Sequence, residues 1–167
     1  MLKPDVTVNN GVTTIAASEV INAPQEMVWN VLKVIGDIEK FHPLVKKSHS
    51  TTERLSGLGA KRHCTLLPMG QMEEEVVKWI EGESFEMAVT GGKFLPPYHF
   101  MQGKVELKAI EQKTEVTFEF TYVLKFGALG RLMDSIMIRP QFKKAPPQYI
   151  TGLKEYIETM KVEPASF

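Results

Sequence analysis

Arg62 and the acidic run Glu73–Glu75 are the residues in this sequence best suited to polar chemistry. They lie on two adjacent predicted strands joined by a turn near residues 68–71, so strand pairing places Arg62 opposite the acidic run. Facing inward, an Arg–Glu pair could hold the carboxylate or hydroxyl group of a ligand. Facing solvent, it would be a cross-strand ion pair worth less than about 1 kcal/mol. Because three glutamates follow one another, the alternation leaves both Glu74 and Glu75 as candidates for the inward position.

His99 is a second candidate for chemistry. It shares strand parity with Met101, Val105 and Leu107, which predicts that it lies on the apolar side of its strand. There it could serve as an acid or base in a cavity, or it could be a hydrogen-bonded histidine at the end of a sheet. Both interpretations are kept open.

Cys64 is the one cysteine of the chain and shares parity with Arg62. It is interpreted as a small residue of the core or of a pocket wall. A nucleophilic cysteine needs a base beside it, and the adjacent His63 points to the other face of the strand. The sequence contains no HxxxH, CxxC, GxSxG or phosphate-binding glycine motif, so neither a metal site nor a cofactor is expected.

Aromatic and methionine side chains are numerous on the predicted strands and on the last helical segments. Methionine adapts to ligands of variable shape, and the chain has nine. This inventory is typical either of a plain core or of a pocket for an apolar molecule with few polar anchors. The candidate pocket residues are Met87, Met101, Phe118, Phe120, Tyr122, Met133 and Met137, with Tyr122 as a further polar anchor.

Composition narrows the functional classes. The chain has 167 residues, which suits one domain, with 20 basic and 20 acidic residues and a formal net charge of zero. Without an excess of cations, a nucleic-acid-binding role is not expected. The N-terminus lacks the apolar core of a signal peptide, and no run of about 18 apolar residues could span a bilayer. A cytoplasmic protein without stable membrane insertion is the expectation, and a homodimer is left open.

The order of elements is a strand, two short helices, about six further strands and a helical C-terminus. Residues 12–22 are rich in β-branched side chains, which predicts a strand that ends before Ala23-Pro24. A helix is expected to begin at this proline and to end at Gly36. Asp37 is expected to cap a second short helix that ends before Pro43. Turn-forming residues then separate strands over residues 45–125. The domain is expected to span residues 11–161, between an N-terminal extension (1–10) and a frayed tail (162–167).

Two apolar stripes mark the C-terminal helices. One consists of Leu129, Leu132, Met133, Ile136 and Met137, and the other runs from Ile150 to Met160. A kink is predicted near Pro140 and a break near Pro146, since proline lacks the backbone donor that a helix interior needs. Residues 137–144 mix apolar and cationic side chains; they could touch an anionic membrane, or they could be a helix kink with solvated lysines.

A curved antiparallel sheet with one apolar face must be covered, and the C-terminal helix is the element long enough to do so. The two short helices fit as a plug at one end. A sheet wrapped around a single helix rarely fills its interior, so this architecture favours a cavity. The predicted fold class is α+β, with a sheet of about seven strands around a long, kinked C-terminal helix.

Short motifs follow one another along the chain in a specific order. They are Ile21-Asn22-Ala23-Pro24, Val28-Trp29, Leu32, Asp37, Phe41-His42-Pro43, Gly57-Leu58-Gly59, Arg62, Glu74-Glu75, Leu95-Pro96, Gly127, Gly130-Arg131-Leu132-Met133-Asp134, Leu153 and Ile157. Together they resemble the START/polyketide-cyclase-like superfamily, also called SRPBCC, with its helix-grip fold. The resemblance implies a pocket for a hydrophobic ligand between the sheet and the long helix, with an Arg/acid pair facing it. Residues 91–97 and 140–147 are expected to form the entrance. The superfamily includes both carriers and cyclases, so fold alone does not decide function.

Three functional hypotheses follow. The first is a carrier that reversibly binds a small hydrophobic molecule such as a lipid, an aromatic or a polyketide-like compound. The second is a cyclase- or dehydratase-type enzyme that uses a buried acid or base in the same cavity. The third is an interaction or stress-response module whose cavity has collapsed. A neutralised ion pair in an apolar cavity would favour the first, and a strongly shifted pKa in the cavity would favour the second.

Overall fold

One antiparallel sheet of eight strands forms the body of the protein. The computed structural model describes residues 1–160. In the sheet the strands follow the order β1-β2-β8-β7-β6-β5-β4-β3, so each neighbouring pair except β2–β8 is a hairpin or meander connection. The strands are β1 (Asp5–Asn9), β2 (Val12–Ile21), β3 (Val45–Ser50), β4 (Lys61–Leu66), β5 (Gln71–Ile80), β6 (Ser84–Lys93), β7 (Tyr98–Ile110) and β8 (Lys113–Leu124).

The first strand of the sheet lies before residue 11, where the domain is expected to begin. Residues 5–9, assigned to an N-terminal extension from the sequence, form β1 and pair with β2 from Asp5↔Ala16 to Asn9↔Val12. Asn10 and Gly11 make the two-residue turn, with φ of 49° and 82°. This is the Asn-Gly signal of a tight hairpin, and its positive φ angles match the twist of the flanking strands. The sheet therefore has eight strands rather than about seven.

The two short helices lie between β2 and β3, as predicted, with different bounds. Helix α1 covers Gln25–Leu32, and a 3₁₀ helix covers Ile35–Lys40. Glu81 ties α1 to the β5–β6 turn, since its carboxylate accepts 2.7 Å hydrogen bonds from the indole N–H groups of Trp29 and Trp79. The two helices thus form a plug across one end of the sheet.

Helix α4 (Ala145–Met160) is the C-terminal helix that the sheet grips. It packs against β2 and β8, and its apolar stripe of Ile150, Leu153 and Ile157 is fully buried. Pro146 and Pro147 stand in its first turn, where a missing backbone donor costs little. The break predicted near Pro146 therefore falls just before it, at residues 143–144, which form a turn.

A second helical region precedes α4. Helix α2 (Gly127–Met133) continues through a π-helical turn (Asp134–Ile138) into α3 (Arg139–Phe142). Four of its buried or half-buried residues, Gly130, Asp134, Ile138 and Phe142, recur every four positions and so share one face, with half-buried Met133 and Arg139 next to them in sequence.

The polar residue on this face holds the region to the sheet. The carboxylate of Asp134 is buried and accepts hydrogen bonds from the hydroxyls of Tyr122 and Thr13 and from Arg139. Most of the apolar stripe of this region does not face the sheet, because the helix turns its polar anchor inward. Leu129, Leu132 and Ile136 are instead 59%, 54% and 66% exposed.

No helix within residues 1–160 is long and apolar enough to cross a membrane. The cytoplasmic location and the homodimer stay predictions. The expected frayed tail (162–167) lies outside the described residues.

We expect Gly152→Ala to destabilise the protein despite alanine's higher helix propensity. A Cβ atom at position 152 would lie 1.9 Å from the carbonyl oxygen of Phe41, so α4 and the plug would have to separate. The strain of overpacking, about 1–3 kcal/mol, exceeds the gain of about 1 kcal/mol from replacing a helical glycine. Urea denaturation measures the change in free energy of unfolding.

Gly91→Ala is the matched control, because its Cβ atom would meet only Glu73 at an ordinary 3.9 Å. A Gly152→Ala protein as stable as this control would contradict the proposed close contact between α4 and the plug.

Candidate functional site

A cavity of about 300 Å³ lies between the concave face of the sheet, the plug and the C-terminal helices. Strands β4 to β8 form its wall, and residues 137–149 cover it. Most of the lining is aliphatic, aromatic or thioether, because the inward positions of the strands alternate with outward polar ones. The polar side chains that line it are Arg62, Glu74, His42, Tyr149, Gln141 and Cys64.

Arg62 and Glu74 form an ion pair on the cavity wall. They are direct partners in the β4–β5 ladder, which decides between Glu74 and Glu75, the two candidates that the sequence did not separate. Arg62 and Glu74 are only 8% and 5% exposed. Arg62 donates its Nε–H to Glu74 Oε2 at 2.6 Å and its Nη1–H to the carbonyl of Ile35 at 3.0 Å. The pair therefore joins β4, β5 and the plug, and its two charges compensate each other inside a low-dielectric wall.

Cys64 lies beside the ion pair. Its thiol is 3.9 Å from Glu74 Oε2 and buried. Burial raises the pKa of this thiol to about 12, so it stays protonated at neutral pH. A neutral thiol is a poor nucleophile, which agrees with its interpretation as a wall residue.

His42 is the second ionisable group of the wall. Its Nδ1 accepts a 3.3 Å hydrogen bond from the backbone N–H of Leu44, so the neutral ring carries its proton on Nε2. Burial, with a smaller contribution from the Arg62 cation, lowers the pKa of His42 to about 4. The imidazole is therefore uncharged at neutral pH.

Tyr149 connects the polar wall to α4. Its ring stacks on Phe118 at 4.3 Å between centroids and meets the ring of His42 edge-on at 5.6 Å. Burial raises the pKa of its phenol, so the hydroxyl is neutral. No hydrogen bond joins this hydroxyl to another residue within 1–160, which leaves it able to bond to a ligand.

Of the candidate site residues, eight line the cavity. Strand parity found those on the strands, because alternate residues of a sheet share a face. They are Arg62, Cys64, Glu74, Met87, Met101, Phe118, Phe120 and Met137.

Four candidates lie elsewhere. Glu75 points outward and pairs with Lys61 at 3.3 Å. His99 is exposed because a bulge between Tyr98 and Phe100 breaks the alternation that its prediction used. Tyr122 is buried but donates its hydroxyl to Asp134, and burial together with that bond raises its pKa. Met133, outside the lining, is half-buried on α2.

The sequence reasoning missed His42 and Tyr149. His42 follows the plug and does not lie on a strand, where parity could have placed it, and Tyr149 stands outside the apolar stripe of α4. The only available signal was the Phe41-His42-Pro43 motif at the end of the plug, which brings His42 against Tyr149 in the folded chain.

The cavity opens where three segments meet. The β4–β5 turn contributes Leu67 and Met69, the β6–β7 loop contributes Phe94 and Pro96, and residues 137–145 form the third side. The last two correspond to the entrance expected from residues 91–97 and 140–147. No group of three or more His, Cys, Asp or Glu side chains suited to a metal ion occurs within residues 1–160.

We expect Arg62→Met to lower the free energy of unfolding by about 3–5 kcal/mol, because it leaves the Glu74 carboxylate buried without a counter-charge. The double variant Arg62→Met/Glu74→Leu should recover most of this loss. Lys61→Met is the matched control: it breaks the more exposed pair with Glu75, worth less than about 1 kcal/mol. Urea denaturation compares the variants, and equal losses for the two single variants would contradict a buried pair.

We expect acid to destabilise the protein through His42. Its pKa falls from 6.5 in the unfolded chain to about 4 in the folded one, so the unfolded state takes up the proton first. The contribution of neutral His42 to the free energy of unfolding is fully present above about pH 6.5 and is lost as the pH falls toward 4. It amounts to about 3 kcal/mol in total. In His42→Gln the urea concentration at the midpoint of unfolding should depend less on pH than in the wild type. His49→Gln, on the exposed surface of β3, is the control and should keep the dependence of the wild type. Identical pH dependence in the two variants would refute the assignment to His42.

Solved structures with this architecture are numerous. Ara h 8.0201 superimposes with a TM-score of 0.70 at 17% identity, over 89% of this chain and 99% of its own. A protein from Thermus thermophilus superimposes with a TM-score of 0.72 at 16% identity, and the match covers 88% of this chain and 98% of that protein. Major latex-like protein 151 of ginseng (Panax ginseng) superimposes with a TM-score of 0.72 at 11% identity, and the match covers 92% of this chain and 100% of that protein. At these identities the likeness establishes the fold alone, the helix-grip arrangement expected from the sequence.

The sequence itself supplies the family. A comparison with curated proteins finds no match. The family model described as polyketide cyclase/dehydrase and lipid transport matches residues 12–158, from β2 almost to the end of α4. This range contains the sheet from β2 onward, the plug and every cavity residue named above. The chain is therefore a member of the polyketide cyclase/dehydrase and lipid transport family, within the START/SRPBCC superfamily that its motifs resemble.

Proposed function

We propose that this protein reversibly binds a small, uncharged hydrophobic molecule that carries one or two polar oxygens. The observation that carries the proposal is the apolar cavity of about 300 Å³ whose ionisable side chains sum to no net charge. This volume stands at the lower end of the range of small-molecule pockets, so a compact aromatic, terpenoid or short lipid fits better than a bulky one.

Electrostatics argue for a neutral ligand. Glu74 compensates the charge of Arg62 at 2.6 Å, and the shifted pKa values keep His42 and Cys64 uncharged at neutral pH. An ionised ligand group would leave water without meeting an unpaired counter-charge, which is strongly unfavourable in an apolar site. The carboxylate binding considered from the sequence is therefore less suitable than a hydroxyl or carbonyl group.

Hydrogen-bond donors around the cavity indicate how such an oxygen would be oriented. The Nε2–H group of His42 and the hydroxyl of Tyr149 belong to rings in edge-on contact, and Arg62 keeps N–H groups beyond those bound to Glu74 and Ile35. A carbonyl or hydroxyl oxygen could accept from one or more of these donors. Apolar burial, at about 25 cal/mol per Å² before entropic costs, would supply most of the affinity.

A carrier fits these features better than an enzyme. Reversible binding needs a shaped apolar site and few polar groups, which the cavity has, whereas catalysis needs a group of suitable pKa in contact with the ligand. His42 is the one observation that favours the cyclase or dehydratase alternative, since it is a neutral imidazole on the cavity wall. Its low pKa makes it a weak base, so we rank this alternative second.

We expect neutral ligands to raise the melting temperature more than their ionised analogues. A fatty alcohol or methyl ketone should stabilise the protein, and the carboxylate of the same chain length should have little effect. Thermal shift measurements on such matched pairs, including sterols and aromatics, test the charge selectivity directly. Equal or stronger stabilisation by the carboxylates would contradict the neutral cavity.

We expect Ala145→Trp to abolish these thermal shifts, because the indole would occupy a cavity whose wall includes Ala145. Ala128→Trp adds the same group on the exposed surface of α2 and should leave the shifts unchanged. If both variants respond to ligands like the wild type, the ligand does not enter this cavity.

Native mass spectrometry of protein from its own host identifies any co-purifying molecule and separates the two functions. A ligand recovered chemically unchanged after incubation with wild type and with His42→Gln supports a carrier. Conversion by the wild type alone would establish the enzymatic alternative.

A further inference from the structure

An apolar stripe on the outer surface of α2 and the π-helical turn has no partner within residues 1–160. It consists of Leu129, Leu132, Ile136 and Met137, each at least 54% exposed, and is called the mouth stripe below. Single exposed apolar residues are common, but a row of four on one helical region is the usual mark of an interaction surface.

The mouth stripe continues into the rim of the cavity. Met137 belongs both to the stripe and to the cavity lining. On the other sides of the opening, Met69 is 65% exposed and Phe94 is 76% exposed, and both also line the cavity. The opening is thus surrounded by side chains that water solvates poorly.

Positive charge accompanies this surface. Residues 125–144 contain five cations and a single acid, Asp134, which is buried and bonded to Arg139. The four other cations, Lys125, Arg131, Lys143 and Lys144, are exposed. The rim segments 66–72 and 93–105 contain no acidic residue. Although the chain has a formal net charge of zero, the segments around the opening therefore carry an excess of positive charge.

We propose that the mouth stripe docks this protein on the surface of an anionic phospholipid bilayer. Apolar side chains flanked by lysine and arginine suit the boundary between headgroups and acyl chains, where negative lipids attract the cations. A second copy of the chain is a poorer occupant, since a symmetric contact would bring the same cations together. Docking in this orientation turns the cavity opening toward the lipid, so a hydrophobic ligand enters without crossing water.

The proposal does not depend on the identity of the cavity ligand, because Leu129, Leu132 and Ile136 lie outside the cavity lining. Failure of docking would therefore leave the ligand-binding function intact, and the reverse also holds.

Vesicle flotation tests the proposal with the full-length chain. We expect binding to vesicles of phosphatidylcholine mixed with phosphatidylserine, little binding to phosphatidylcholine alone, and weakening by salt. Leu132→Ser/Ile136→Ser should abolish binding. Arg131→Ser/Lys143→Ser/Lys144→Ser should weaken it on the order of a hundredfold, since each cation near the surface contributes about fivefold.

Two matched variants control for nonspecific effects, and circular dichroism checks that all variants fold. Val77→Ser/Ile80→Ser changes two apolar residues of β5, each 44% exposed, and Lys108→Ser/Lys113→Ser changes exposed lysines at the far ends of β7 and β8. Both should bind like the wild type. The proposal is overturned if anionic vesicles do not bind, if mouth-stripe and control variants behave alike, or if sedimentation shows a dimer that Leu132→Ser/Ile136→Ser dissociates while vesicle binding is unaffected.

Discussion

The contact between α4 and the plug determines where the cavity can lie. Gly152 lets the helix backbone approach the carbonyl of Phe41 so closely that no side chain fits between them. Beyond this point, Ile150, Leu153 and Ile157 fill the space over β2 and β8. One half of the concave face is therefore a packed core, whereas the other half is covered only by the first turn of α4 and by residues 137–142, which leaves room for a ligand.

Tyr149 stands at the boundary between these two halves. Its ring packs against Phe41 and His42 of the plug and against Phe118 of the sheet, so it belongs to the core. Its hydroxyl belongs to the polar wall together with Arg62 and Glu74. Aromatic packing thus fixes the polar groups in position, and a group held in this way loses little conformational freedom when a ligand binds.

Two buried carboxylates serve different purposes in this architecture. Glu74 neutralises Arg62 in the cavity wall and makes the site suitable for an uncharged molecule. Asp134 accepts hydrogen bonds from Tyr122, Thr13 and Arg139. These bonds hold the polar side of the α2–α3 region against the sheet. That second anchor leaves the apolar side of the same helices facing outward at the cavity opening, which links the fold to the proposed membrane contact.

The sequence by itself determined the family, the order of elements and the inward face of most strands, because strand periodicity and proline or glycine boundaries are local properties. It also placed Arg62 opposite the acidic run Glu73–Glu75, since a short turn sets the register of a hairpin, but it did not decide which glutamate faces inward. Only the tertiary structure decided the rest. A β-bulge places His99 outside the cavity. Asp134 binds residues far away in sequence, so the polar side of α2 faces the sheet. Packing places His42 against Tyr149, a residue more than a hundred positions away along the chain. These outcomes depend on contacts between segments far apart in sequence, whose energies no local pattern records.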